Sequence, residues 1–91
     1  MMVNEIAERI RRMEDYFDRL TAALAEGRSL DETERAMLAT LADYLDSGLW
    51  LADFERDERG ELPASLKRGV LSQDGLYNLL QELGEGASTS R

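Results

Sequence analysis

Between Asn4 and Glu26 the apolar residues Ile6, Ile10, Met13, Phe17, Leu20 and Leu24 recur at intervals of 4, 3, 4, 3 and 4. That spacing lays them along one stripe of an α-helix and is incompatible with the alternating pattern of a strand. Gly27 supplies the stop, so the spacing predicts a helix ~35 Å long at about 1.5 Å per residue. Three acids precede bases by four residues on this helix, Glu5 with Arg9, Glu8 with Arg12 and Asp15 with Arg19. Pairs at that spacing lend an exposed helix surface a few tenths of a kcal/mol each. Fewer than three full heptads favours a core face, and hence a monomer, over a coiled-coil seam that would make a homodimer through the same stripe.

A second helix must cover that stripe. Ser29-x-x-Glu32 and Asp31-x-x-Glu34 are both capping boxes, in which a short side chain and a glutamate satisfy each other's backbone N–H groups. Leu30, Met37, Leu38, Leu41, Tyr44 and Leu45 form its apolar face and Gly48 ends it. The short link from Gly27 to Leu30 makes the two helices antiparallel neighbours.

Trp50 and Phe54, four apart, share one face of a short third helix. Pro63 suits a first helical position and Gly69 the residue after a last one, with Lys67 and Arg68 in the favoured final turn, so a helix of one or two turns is expected there. Ser72 caps the last helix, where Leu76, Leu79, Leu80 and Leu83 repeat with helical period. Gly75 in its first turn costs up to ~1 kcal/mol relative to alanine, which calls for a close neighbour or a later helix start. The expected fold is all-α, an antiparallel helical hairpin with two shorter C-terminal helices packed across it. Residues 1–83 form one helical domain, and 84–91, with nothing to bury, a disordered tail.

Histidine and cysteine are both absent. The usual general base, the usual covalent nucleophile and the commonest transition-metal ligands go with them. Ser29, Ser47, Ser65 and Ser72 sit at expected helix ends, and neither a nucleophile elbow nor a phosphate-binding glycine loop occurs. Asp53, Glu55 and Asp57 alternate like the start of a calcium loop, but the sixth position is Glu58 where glycine is needed and the twelfth is Ala64 where glutamate is needed. Neither catalysis nor a resident metal or cofactor is expected. With no basic start and no long apolar run, the chain is expected to lack a signal peptide and a membrane span, and to be cytoplasmic.

Nineteen acidic residues against eleven basic give a net charge of −8. Such a chain repels nucleic acid and anionic lipid within about a Debye length, ~8 Å at physiological salt, and attracts basic protein surfaces. The charge is concentrated between Asp43 and Glu61, where seven acids face two bases. Asp43 and Asp46 also occupy the last turn of the second helix, where the helix dipole disfavours anions. Either Lys67 and Arg68 fold back to neutralise this belt or it docks on a basic partner. Trp50, the one tryptophan, is either a plug over the open end of the hairpin or an anchor at an interface. Arg9, Arg11 and Arg12 resemble a basic patch, but the acids on the same helix claim them.

Ser47-Gly48-Leu49-Trp50, Asp53-Phe54-Glu55, Asp57-Glu58, Leu62-Pro63 and the run from Leu66 to Leu80, Leu-Lys-Arg-Gly-Val-Leu-Ser-Gln-Asp-Gly-Leu-Tyr-Asn-Leu-Leu, resemble a family of short bacterial proteins, domain of unknown function 4298. Met13-Glu14 and Tyr16-Phe17-Asp18 extend the likeness over most of the chain, and Leu45 stands where the family pattern has a second tyrosine. The resemblance implies a small bacterial or phage-borne protein and assigns no activity, so no catalytic residue is carried across. The residues themselves lead to a non-enzymatic protein-binding module whose docking face comprises Asp43, Asp46, Trp50, Asp53, Glu55, Asp57, Glu58 and Tyr77. The alternative is an acidic mimic of nucleic acid that inhibits a nucleic-acid-binding protein, as phage counter-defence proteins do.

Overall fold

The computed structural model describes residues 2–83 and is all-helical over them. Its elements are α1 (Met2–Glu26), α2 (Glu32–Asp46), α3 (Leu49–Glu58), a 3₁₀ turn (Gly69–Leu71) and α4 (Gln73–Leu83). The long α1 packs against α2, the 3₁₀ turn and α4, and α2 in turn touches α3 and α4. The expected tail, 84–91, lies outside the described residues.

The stripe on α1 is the spine of the core. Ile6, Ile10, Met13 and Leu20 are buried with Leu38, Leu41 and Tyr44 of α2, Trp50 of α3 and Leu76, Leu79 and Leu80 of α4. Phe17 is half-buried, while Leu24, the last of the stripe, reaches the surface and Ala23 is buried instead. Neighbouring helices cross at an angle, so the covered flank shifts round α1 along its length.

Of the two candidate capping boxes, the chain uses the one at Asp31. Its carboxylate accepts from the Glu34 N–H (2.8 Å), and the Glu34 carboxylate accepts from the Asp31 N–H (3.1 Å). Gly27 and Gly48 adopt φ of 70° and 92°, the left-handed turns that end α1 and separate α2 from α3.

The segment from Pro63 to Arg68 departs from expectation, because it is a turn and not a helix. Leu66 N–H reaches the Pro63 carbonyl (3.1 Å), but the Arg68 guanidinium donates to the carbonyls of Pro63 (3.0 Å) and Leu66 (2.6 Å). One planar side chain with five donors thus meets acceptors that helical N–H groups would otherwise have met. Gly69, expected to end a helix, begins the 3₁₀ turn that buries Val70 and Leu71. Ser72 does cap α4, its Oγ accepting from the Gly75 N–H (3.2 Å). The close neighbours of Gly75 are the Ser72 and Phe17 side chains, 3.3–3.4 Å from where a Cβ would stand, and not another backbone.

Candidate binding surface

The acidic belt divides in two once the chain folds, and Asp53 shows why. On α3 the residues three apart, Trp50 and Asp53, turn inward together. Trp50 is 5% exposed, its indole N–H donates to the Val70 carbonyl (3.0 Å), and its ring stacks on Phe54 at 5.1 Å between centroids. It is the plug over the hairpin, so its place on an expected docking face is corrected. Asp53 is fully buried. Arg9 donates to both of its oxygens, through Nε (3.0 Å) and Nη2, and the Tyr44 hydroxyl adds a third bond at 2.6 Å. A bidentate guanidinium and a phenol together offset much of the cost of burying a carboxylate. Burial first, and then the hydrogen bond to Asp53, push the Tyr44 phenol upward from its ordinary range, and the Asp53 bond raises Arg9. Asp53 is therefore a structural residue tying α1, α2 and α3 together, and its assignment to the docking surface is also corrected.

These long-range partners displace the expected local ones. Arg9 serves Asp53 and not Glu5, and Arg19 lies 3.8 Å from Glu34. Among the described residues none of the three expected pairs on α1 comes within 4 Å. A charge-assisted bond away from water outweighs a solvated pair worth under ~1 kcal/mol.

Glu34 and Glu14 are two more buried acids, and neither was among the expected site residues. Glu34 is 1% exposed; both its oxygens accept from Arg28 (2.9 and 2.8 Å), in addition to the capping bond. Arg28, followed by the Asp31 N–H, holds its carboxyl at about 2. Glu14 is 6% exposed and accepts from the Val70 N–H at 2.7 Å. A Cβ at Gly69 would stand 2.8 Å from Glu14 Oε2, so a larger residue there would have to push this carboxylate aside. The signal was helical phase: Glu14 is four residues after Ile10, Glu34 four before Leu38, and Asp53 three after Trp50.

Of the remaining belt, Asp57 is half-buried and bonded to Arg68 Nε (2.6 Å), and Glu61 accepts from Arg59 (2.9 Å). Arg68 thus folds back on the belt, whereas Lys67 bonds Asp18 of α1 instead (3.1 Å). Asp43, Asp46, Glu55 and Glu58 are exposed, and among the described residues no basic group lies within 4 Å of them. They accompany two apolar side chains that the fold leaves in solvent, Leu49 (44% exposed) and Leu51 (51%). Leu51, Glu55 and Glu58 follow one another at i, i+4 and i+7 along the outer face of α3. Asp43 and Leu49 share the wall of a groove of about 320 Å³ with Arg12 and Tyr44. Tyr77, 55% exposed on α4, does not line that groove. Among the described residues no group of three or more histidines, cysteines or carboxylates could hold a metal ion, and no helix is long and apolar enough to cross a membrane.

A family model described as domain of unknown function (DUF4298) matches residues 3–90. No curated protein and no solved structure matches the chain.

Proposed function

We propose that this chain, which belongs to the DUF4298 family, is a protein-binding module that docks a basic partner surface at the corner between α2 and α3. The observation that carries the reading is the company of Leu49 and Leu51, exposed apolar side chains set among the acids Asp43, Asp46, Glu55 and Glu58, which have no ion-pair partner among the described residues. Apolar anchors within a polar rim are the common anatomy of a transient interface. Uncompensated charge of one sign adds steering toward an oppositely charged surface and rejection of acidic ones. Asp53 and Glu34 cannot serve this purpose, because their charge is already met inside the fold.

The test uses the partner recovered by affinity capture from the host cell. Leu51→Ser and the double variant Glu55→Lys/Glu58→Lys alter only exposed side chains, so both should keep the helical spectrum. Each is expected to bind that partner roughly tenfold more weakly or worse, a loss of ~1.4 kcal/mol, with a shallower salt dependence for the double variant. Undiminished affinity in both overturns the assignment of this corner. Binding that duplex DNA displaces, and that ignores Leu51→Ser, supports a nucleic-acid mimic instead.

A further inference from the structure

Arg12 and Met13 lie three and four residues after Arg9 on α1, and Asp43 and Ser47 lie three and seven after Thr40 on α2, so each set shares a helix face. The groove of about 320 Å³ runs between these two faces, with Leu49 at the start of α3 as a further wall. Its hydroxyls are already engaged within the fold. Thr40 donates to the Ala36 carbonyl (2.9 Å), Ser47 to the Tyr44 carbonyl (3.3 Å) and Tyr44 to Asp53 (2.6 Å). What remains for an occupant is apolar surface from Met13 and Leu49, guanidinium donors on the α1 side and one carboxylate on the α2 side. Arg9 gives Nε and Nη2 to Asp53, and its Nη1 has no hydrogen bond among the described residues. Arg12 and Asp43 are exposed, and neither has an ion-pair partner among the described residues, so they stand on opposite walls without closing on each other.

We infer that this groove seats one apolar side chain of the basic partner, carried on a short peptide segment whose neighbouring base meets Asp43 and whose backbone carbonyls accept from Arg9 and Arg12. The occupant rests on the partner-binding reading above and deepens it, since Leu49 and Asp43 belong to both the corner and the groove. Charge complementarity selects the base. Asp43 lies in the last turn of α2, where the helix dipole opposes its charge, so a cation there is favoured by the carboxylate and by the helix end together. Carbonyl acceptors suit the other wall, because Arg9 is already paired with Asp53 and its free Nη1 calls for a hydrogen bond more than for a second charge. Main-chain bonds of this kind, with a pocket for one side chain, are how peptide segments are commonly held. A nucleic acid would instead bring its phosphates against Asp43 and a net charge of −8. At about 320 Å³ the groove is at the small end of the range for ligand pockets, roughly 300–1,000 Å³, which is room for one anchor and its backbone.

The probe is the tripeptide amide acetyl-Lys-Leu-Lys-NH₂, with a base on either side of the anchor so that the direction of entry does not matter. It is titrated into the full chain at physiological salt, where distant charges are screened, while backbone amide resonances are followed. Saturable shifts centred on Thr40, Ser47 and Leu49 are expected. Thr40→Trp, which fills the groove from an exposed position, and Leu49→Ser, which removes its apolar wall, should each bind roughly tenfold more weakly and keep the helical spectrum. Asp43→Asn should bind roughly threefold more weakly, the scale of one exposed ion pair. Glu55→Lys/Glu58→Lys should leave the shifts unchanged, since neither residue lines the groove, which separates failure here from failure of the corner. Three results would overturn the inference: no saturable shift, equal binding by acetyl-Lys-Ser-Lys-NH₂, or undiminished binding by both Thr40→Trp and Leu49→Ser. Equal binding by acetyl-Glu-Leu-Glu-NH₂ would overturn the neighbouring base, and equal binding by isobutanol would overturn a peptide segment as the occupant.

Discussion

The acids inside the fold and the acids outside it have the same chemistry and opposite consequences. Asp53 and Glu34 are buried because each lies on an apolar stripe, and each is met by an arginine through two bonds. Asp43, Asp46, Glu55 and Glu58 lie off the stripes and, among the described residues, meet no base within 4 Å. The first group costs desolvation and offsets it through bidentate bonds, which at Asp53 also tie segments 44 residues apart. The second contributes no such tie and leaves its field to solvent or a partner. Partners, and not acidity, decide what a carboxylate does here.

The largest effect that would test this contrast is an acid placed inside without a partner. Leu20 is fully buried, and Leu20→Asp should cost several kcal/mol, which rivals the whole stability of a domain this size. A cooperative melt near that of the wild type, with helical circular dichroism retained, would break the comparison. Next is removal of a partnered acid. Asp53→Ala strands Tyr44 and a guanidinium with limited access to water, and is expected to lower unfolding free energy by about 3 kcal/mol in urea titrations. For the same reason, reversing Asp53 or Asp57 to lysine would probe the fold and not the docking surface.

Acid should weaken the fold through a paired group. Glu34 has its folded-state value depressed to about 2 from 4.5, so the folded chain binds its proton less readily than the unfolded chain does. Its contribution is therefore fully present above about 4.5 and is lost as pH falls from there toward about 2. Stability measured across that window should fall with pH, and Glu34→Gln should flatten this part of the profile. The smallest effect is expected at the exposed acids. Asp46 lies in the last turn of α2, and Asp46→Lys should raise stability by about 0.3–1 kcal/mol, because the dipole there favours a cation. A clear loss would mean that Asp46 has a structural partner.

Much of this molecule follows from the order of its residues. The period on α1, the glycines that end α1 and α2, the capping box at Asp31 and the Ser72 cap are local features, and local backbone geometry is enough to express them. The DUF4298 resemblance, carried mainly by the run from Leu66 to Leu80, was likewise legible in residue order. Local signals failed where a distant side chain intervened. Pro63 and Gly69 bracket what reads as a helix, but the Arg68 guanidinium takes up the carbonyls and the chain turns instead. Spacing pairs Arg9 with Glu5, yet Asp53 offers two oxygens out of water and wins. Net charge in a segment can be counted from the sequence, and the count between Asp43 and Glu61 was sound. Which of those charges faces inward depends on the rotation of α3 about its axis, and that is set by where Trp50 finds the Val70 carbonyl and where Asp53 finds Arg9 and Tyr44. Residue order thus determined the helices and the total charge, while tertiary structure decided which acids are spent on the fold, because only packing places a base beside a buried carboxylate.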